Sequence, residues 1–229
     1  MLYNGVVSEK LIDLLIELQS EPIFKDYILG GGTALALQIG HRKSIDIDLF
    51  TTKKQNNNNL LEYFNFKYKY FDLISIDTYI LRLVVNKISI DLIGTNQNIL
   101  EIPKTENGIT LFGLRDIAAM KLRAVSLRRE VKDFIDIAYL LKTIPMDSMF
   151  DLYKKKYGTD DILFAKKSLS ECFHGIDKNE LHSIEMLKND IDLEDVPKII
   201  SNALFKYNDK NGIKEKPSFF NYFKPKRNR

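Results

Sequence analysis

The spacing of apolar residues changes once along this chain of 229 residues. Up to about Phe112, short apolar runs and segments that alternate with a period of two predominate, whereas apolar residues recur with helical spacing from Gly113 onward. This pattern predicts an α+β protein in which a mixed β-sheet with flanking helices precedes a helical bundle. We expect an α/β domain over 1–112, a helical domain over 113–207 and a basic, aromatic tail over 208–229.

The same pattern predicts the individual elements. Strands are predicted over 27–29, 45–50, 67–76, 78–85, 87–93 and 109–112, with a polar loop over 103–108. Helices are predicted over 7–19, 33–39, 60–64, 114–127, 132–142, 146–156, 161–172 and 195–207. Ser8 is the expected N-cap of the first helix, and Gly40 is expected to end the second.

The stretch 27–51 places a glycine-rich turn before a strand that carries two aspartates. The glycines 30–32 separate a short apolar strand from a helical segment. Asp46 and Asp48 are two residues apart on the following strand, so they share a face and their Cα atoms lie roughly 6.6 Å apart. Both carboxylates could therefore serve one metal cluster. The apolar residues that alternate with them are expected to point into the core: Ile45, Ile47 and Leu49.

Asp91 lies among apolar residues on the predicted strand 87–93. A lone buried carboxylate is costly unless it is paired or bound to a metal, so we expect Asp91 to be a third ligand beside Asp46 and Asp48. Carboxylate oxygens suit two Mg²⁺ ions, which stabilise the attacking and leaving oxygens of a transferring phosphate. Backbone N–H groups at a glycine-rich helix start can hold triphosphate oxygens. The combination predicts metal-assisted phosphoryl or nucleotidyl transfer.

Each of these features has a plainer interpretation when it stands alone. The glycine turn matches neither the P-loop nor the dinucleotide-binding fingerprint. An Asp-x-Asp pair on a strand is more often solvated surface than a metal site, and Asp91 alone could cap a turn. The order of turn, helix, basic loop, Asp-x-Asp strand and later strand aspartate is what favours the site.

Composition limits the partners and the cellular compartment that we expect for the protein. The net charge of +3 is too small to indicate a nucleic-acid partner by itself, although eight Lys or Arg and two acidic residues fall within 205–229. Cys172 is the single cysteine, which excludes an internal disulfide and fits a reducing compartment. Residues 1–20 lack a signal-peptide pattern, and no apolar run approaches the ~18 residues of a membrane span. We therefore expect a cytoplasmic protein with no membrane partner.

Four blocks of this chain resemble AbiEii/AbiGii-type nucleotidyltransferases, which belong to the DNA polymerase β-like nucleotidyltransferase superfamily. The blocks are GGTALAL at 31–37, GHRKSIDID at 40–48, LRDIAAMKLRA at 114–124 and, after Arg128 or Arg129, KDFID at 132–136. They occur in the order of the family and cover about 29–141. Superfamily members commonly begin the first block with Gly-Ser, whereas this chain has Gly-Gly-Thr, as in the AbiEii branch.

The resemblance implies a role for each matching residue. Asp46 and Asp48 would bind the metals and act in catalysis, and Lys121 and Asp133 on the helical side would complete the active site. Lys121 would also contact the triphosphate. The implied nucleotide-binding residues are Gly31, Gly32, Thr33, Arg42, Ser44 and Lys121.

Lys121 and Asp133 also have structural interpretations. A lysine on an amphipathic helix often extends to solvent, and an aspartate in a first helical turn is favourable to the helix dipole. The basic residues of this region form either a solvated helical face or a phosphate-contacting face for RNA. They are Arg115, Arg123, Arg128, Arg129 and Lys132.

The favoured function is therefore Mg²⁺-dependent transfer of a nucleoside monophosphate from an NTP. The resemblance implies the 3′ end of tRNA as acceptor and a toxin role in a toxin–antitoxin or abortive-infection system, with an antitoxin encoded alongside. The tail 214–229 could hold RNA by charge and stacking, or be a disordered end. Two alternatives stay open: nucleotidylation of a small molecule or protein side chain, and a non-catalytic nucleotide-binding module. The presence of Asp46, Asp48 and Lys121 together argues against the module.

Overall fold

The computed structural model of the protein describes residues 1–175, 180–181 and 183–213. They form two compact units, the first from Met1 to Ile117 and the second from Ala118 onward. The first unit contains a seven-stranded mixed sheet, and the elements described in the second are helices. The predicted α+β class is therefore confirmed. The segment 214–229, predicted as a basic tail, lies outside the described residues.

The sheet of the first unit has the strand order β3-β4-β5-β2-β1-β7-β6. The strands are β1 Ile28–Leu29, β2 Asp46–Thr51, β3 Asp72–Ile76, β4 Ile80–Val85, β5 Ile88–Gly94, β6 Lys104–Glu106 and β7 Ile109–Leu111. The pairs β2–β5 and β1–β7 are parallel, and the remaining pairs are antiparallel. β2, which carries both aspartates, is thus the central strand.

Burial alternates along β2 as its sequence predicts. Ile47 and Leu49 are fully buried, whereas Asp46 and Asp48 are half-buried on the opposite face. β5 alternates in the same way, with Ile90 and Leu92 in the core. The core therefore lies on one side of the two strands and the carboxylates on the other.

Three helices flank this sheet and a fourth leaves it: α1 Glu9–Ser20, α2 Gly31–Ile39, α3 Asn57–Lys67 and α4 Leu114–Leu127. The side chain of Ser8 accepts a hydrogen bond from the Leu11 N–H at 3.2 Å, which confirms the predicted N-cap of α1. Gly40 ends α2 in the left-handed conformation with φ 65°, which confirms the predicted C-cap. α1 buries its leucine stripe, which consists of Leu11, Leu14, Leu15 and Leu18.

Two sequence predictions for this unit are wrong. Ile45 was expected in the core but is 74% exposed, because β2 begins at Asp46 and Ile45 precedes the pleated ladder. The loop predicted over 103–108 contains β6, which pairs with β7 and brings the Thr105 and Thr110 hydroxyls within 2.8 Å. Both turn residues, Asn107 and Gly108, have positive φ. Asn-Gly is a strong hairpin signal, so this strand was recognisable from the sequence.

The second unit continues α4 and adds α5 Val131–Leu140, α6 Met146–Tyr157, α7 Leu163–Ser170 and α8 Val196–Lys210. α8 packs against α5, α6 and α7 and is the helix that connects them. Its Tyr207 meets Phe150 of α6 edge to face, with ring centroids 4.8 Å apart. No helix in the described ranges is long and apolar enough to cross a membrane.

Candidate active site

The turn between β1 and α2 holds the carboxylate of Asp48 against the helix backbone. The Gly30 N–H donates to the Asp48 carbonyl at 2.8 Å, which fixes the turn beside β2. Gly31 has a φ of +63°, and a Cβ placed on it would lie 1.9 Å from Asp48 Oδ2. No side chain fits there, so the glycine that the sequence singled out is required by both conformation and contact.

The start of α2 presents backbone donors at this point. The Ala34 N–H bonds the Gly30 carbonyl at 3.2 Å and closes the first helical turn. Helix geometry leaves the N–H groups of Gly31, Gly32 and Thr33 without an acceptor inside the helix. Such groups, together with the helix dipole, bind phosphate oxygens. Backbone donors of the kind that can bind phosphate oxygens therefore lie beside Asp48.

Arg42 packs against the second glycine of the turn. A Cβ on Gly32 would lie 2.5 Å from Arg42 Nη2, and Arg42 Nη1 donates to the Lys43 carbonyl at 2.8 Å. Arg42 is only 4% exposed, so its main role in this structure is to support the turn. Its charge nevertheless adds positive potential at the start of α2.

Thr33 and Ser44 join α2 to the beginning of β2. Thr33 Oγ1 donates to the Asp46 carbonyl at 2.5 Å and lies 2.8 Å from Ser44 Oγ. Both side chains are buried, so these contacts fix the backbone from which Asp46 projects. The geometry thus gives both hydroxyls a supporting role, in addition to the nucleotide-binding role that the resemblance implies.

Asp46, Asp48 and Asp91 lie on one face of the sheet. The register of β2 and β5 pairs Asp48 with Asp91, and side chains of paired strand residues point to the same side. Asp91 is not buried alone, as the sequence argument assumed. Its side chain is 23% exposed and its Oδ2 accepts a hydrogen bond from Arg82 Nε at 3.0 Å. That premise of the sequence argument is therefore wrong.

The donor set fits a hard divalent cation in part. Asp46 and Asp48 offer carboxylate oxygens on one strand face, which is the chemistry that Mg²⁺ prefers. Within the part of the chain that the structure describes, no three acidic, histidine or cysteine side chains converge as a metal site. Asp91 is paired with Arg82, so the third predicted ligand is held by a neighbouring cation in this structure.

The second unit contains a buried group of charges around Lys121 of α4. Lys121 Nζ lies 2.8 Å from Asp133 Oδ1 and 2.5 Å from Asp136 Oδ2 of α5. Lys121 is 2% exposed, and both aspartates are fully buried. Lys121 therefore does not extend to solvent, and its ammonium group is the shared partner of two buried carboxyl groups.

Arg128 closes this group on its outer side. Its Nε and Nη2 donate to Asp133 at 2.9 Å and 3.2 Å, whereas about half of the Arg128 side chain remains exposed. Burial raises the pKa of the Asp133 carboxyl, but the nearby charges of Lys121 and Arg128 outweigh it and hold that pKa below its usual range. Asp133 is therefore ionised at neutral pH.

A match to a known family covers both the β2 aspartates and the residues around Lys121. The sequence model of the AbiEii family, described as a nucleotidyl transferase toxin of a type IV toxin–antitoxin system, matches residues 13–69 and 71–207. The chain belongs to the AbiEii family. It is thus a nucleotidyltransferase, which confirms the resemblance and the enzyme class. The AbiEii match includes both the β2 aspartates and the Lys121 group.

Other comparisons agree with this membership. The uncharacterised protein aq_aa25 of Aquifex aeolicus is 32% identical over 166 residues, which are 64% of this chain and 74% of that protein. A solved structure of a candidate nucleotidyltransferase from Helicobacter pylori is 16% identical with a TM-score of 0.55, over 90% of this chain and 96% of that chain. MenT4, a nucleotidyltransferase toxin from Mycobacterium tuberculosis, is 12% identical with a TM-score of 0.51, over 85% and 80%. Because their sequence identities to the AbiEii chain are low, the two structures support its fold and nothing further.

Two buried aspartates of the AbiEii chain, Asp136 beside Lys121 and Asp116 at the start of α4, were missing from the sequence-based set. Asp136 follows Asp133 by three residues on a helix, a spacing that predicts a shared face. Asp116 is fully buried in the first turn of α4 and accepts hydrogen bonds from the N–H groups of Leu100 and Glu101 at 2.9–3.2 Å. It ties the segment after β5 to the start of α4. No signal in the sequence pointed to this long-range contact.

Proposed function

We propose that this AbiEii-family enzyme transfers a nucleoside monophosphate from an NTP to the 3′ end of tRNA and releases pyrophosphate. The observation that carries the proposal is the position of Asp48, whose carboxylate touches the glycine start of α2. A carboxylate pair for metal and a backbone site for phosphate are thereby adjacent in one unit. The toxin description of the family supports an NTP substrate and an antitoxin partner.

Asp46 and Asp48 would hold two Mg²⁺ ions, with Asp91 as the third ligand. When bound, such ions stabilise the attacking and leaving oxygens of the transferring phosphoryl group. Gly31 and Gly32 bring backbone N–H groups to the triphosphate without a side chain in the way. Thr33, Ser44 and Arg42 hold that surface and the Asp46 backbone in place.

The Lys121 group would supply the catalytic residues of the second unit. Lys121 pairs with the buried Asp133 and Asp136 and fixes their positions, and Asp133 in turn orients Arg128 through two hydrogen bonds. Arg128 is the exposed cation of this group and is the side chain that we assign to an incoming phosphate. The contact of Lys121 with the triphosphate, which the resemblance implies, stays a prediction.

An RNA acceptor is supported by exposed basic residues of the second unit. The Arg123 guanidinium lies 5.5 Å from the centre of the Tyr157 ring, and Lys155 is exposed on the same helix as Tyr157. A guanidinium on an aromatic ring beside further positive charge suits single-stranded nucleic acid, which such surfaces hold by charge and stacking. We place the reaction in the cytoplasm, with an antitoxin encoded by the adjacent gene.

The acceptor is identified by incubating the purified protein with each α-labelled NTP, Mg²⁺ and total tRNA. We expect label on tRNA with the wild-type protein and none with Asp46→Asn. Asp26→Asn, which alters an exposed carboxylate of the same unit, is the matched control and should label tRNA like the wild type. Label on protein or on a small molecule would overturn the tRNA assignment. Nucleotide binding by calorimetry without any labelled product would leave the non-catalytic nucleotide-binding module.

A further inference from the structure

A row of three charged residues crosses the carboxylate face of the sheet. Arg82 on β4 is paired with Asp91 on β5, and Asp91 is paired with Asp48 on β2. Side chains at paired positions point to the same face, so Arg82 belongs to the same surface as the proposed metal ligands. Sequence analysis did not single out Arg82, and the proposed reaction gives it no role.

The contact of Arg82 fixes where Asp91 is held. β4 and β2 lie on opposite sides of β5, so Arg82 approaches Asp91 from the side away from Asp48. Its Nε lies 3.0 Å from Asp91 Oδ2, so Arg82 engages one of the two carboxylate oxygens. Among the described residues, no three acidic side chains converge as a metal site. Asp91 is thus on the correct face but bound to a neighbouring cation.

We propose that Arg82 competes with a divalent cation for Asp91 and thereby sets the metal affinity of this site. The Arg82 guanidinium holds the Asp91 carboxylate in this structure. A cation bound at Asp46 and Asp48 recruits Asp91 only when Arg82 releases it. This inference rests on the proposed function, because it takes Asp46 and Asp48 as the ligands of that cation.

The strength of the pair suits such an exchange. The Arg82 side chain is 48% exposed, and the described contact is a single Nε–Oδ2 hydrogen bond rather than a bidentate fork. Exposed ion pairs of this kind contribute little to stability. A divalent cation with two carboxylates already in place can therefore displace Arg82. The pair weakens metal binding without preventing it.

The test is the affinity of the full-length protein for Mn²⁺, measured without nucleotide by the electron paramagnetic resonance signal of free Mn²⁺. Arg82→Gln removes the competing charge, and we expect Mn²⁺ to bind about two- to fivefold more tightly. Lys87→Gln is the matched control, because Lys87 is an exposed cation in the β4–β5 turn of the same hairpin. It should leave the affinity unchanged.

Repeating the measurement in an Asp91→Asn variant separates competition for Asp91 from general repulsion between Arg82 and the metal ion. In Asp91→Asn, Arg82→Gln should no longer tighten Mn²⁺ binding, because the carboxylate for which the two cations compete is gone. Unchanged or weaker binding in Arg82→Gln alone would overturn the inference, and so would tightening that persists in Asp91→Asn. Asp46→Asn tests the underlying function separately: if it binds Mn²⁺ like the wild type, the metal site itself is wrong. Arg82→Lys, which keeps the charge and loses the Nε donor, should fall between wild type and Arg82→Gln.

Discussion

Gly31 and Asp48 lie so close together that a Cβ placed on Gly31 would be only 1.9 Å from Asp48 Oδ2. One residue begins the helix whose first N–H groups are the proposed phosphate site, and the other is a proposed metal ligand. The absence of a side chain at Gly31 is therefore what lets the two functions meet. This relationship leads to the first prediction.

Gly31→Ala should abolish most of the activity by displacing the Asp48 carboxylate. A shift of about 1 Å in a catalytic group can cost roughly 100-fold in rate. Gly158→Ala is the matched control, since Gly158 has a φ of +60° and nothing within 4 Å of its Cβ position. Both variants should lose about 1–2 kcal/mol of unfolding free energy from the left-handed conformation. Equal activity in the two variants would mean that the Gly31–Asp48 contact does not matter.

Thr33→Val should destabilise the first unit, because it replaces a buried hydroxyl with a methyl group of nearly the same size. The Asp46 carbonyl and Ser44 Oγ both lose their contact with Thr33 Oγ1, and an unsatisfied buried polar group costs about 1–3 kcal/mol. Urea denaturation measures the change. Thr33→Ser keeps the hydroxyl and should therefore keep most of the stability that Thr33→Val loses. A loss in Thr33→Ser as large as that in Thr33→Val would point to the methyl group instead.

Lys121→Met should be among the most destabilising single changes in the second unit. It leaves Asp133 and Asp136 buried without their shared cation, and removal of one partner from a buried ion pair costs about 3–5 kcal/mol. Thermal and urea unfolding at neutral pH measure this loss. The surface pair Lys132–Glu130 provides the control, because Lys132→Met should cost only about 0–1 kcal/mol. Similar losses for both lysines would contradict the buried ion cluster.

Acid should remove the stabilisation that the ionised Asp133 provides. Its pKa in the folded protein lies below that of the unfolded chain, so the folded state binds fewer protons. The contribution is fully present above the ordinary carboxyl pKa of about 3.9 and disappears as the pH falls through the folded-state pKa. The stability difference between wild type and Asp133→Asn should therefore shrink below about pH 4. A difference that does not change with pH would show that Asp133 is not the ionised partner of Lys121.

Local sequence signals predicted much of the first unit. The period of two on β2 placed both aspartates on one face, and Ser8 and Gly40 marked helix ends correctly. The Arg82–Asp91 pair was also within reach, because a two-residue turn at Asn86 and Lys87 pairs residue 82 with residue 91. That register follows from turn length alone. The prediction of a lone carboxylate at Asp91 leaves out this hairpin partner.

Other contacts depend on how distant segments meet. The parallel register that sets Asp48 beside Asp91 joins strands separated by a helix and a hairpin, and no local pattern determines it. Burial of Lys121 could not be predicted either. An amphipathic helix predicts which face is apolar, but not that two aspartates of α5 accept the ammonium group there.

The central claim is that the β2 carboxylates carry out nucleotidyl transfer, and differential labelling of the NTP tests it most directly. The protein is incubated with Mg²⁺, tRNA and NTP labelled either at the α- or at the γ-phosphate, beside Asp48→Asn. The account predicts that α-label enters the tRNA while γ-label leaves as pyrophosphate, and that Asp48→Asn gives neither product. Transfer of γ-label to the acceptor, or undiminished α-label transfer by Asp48→Asn, would contradict it.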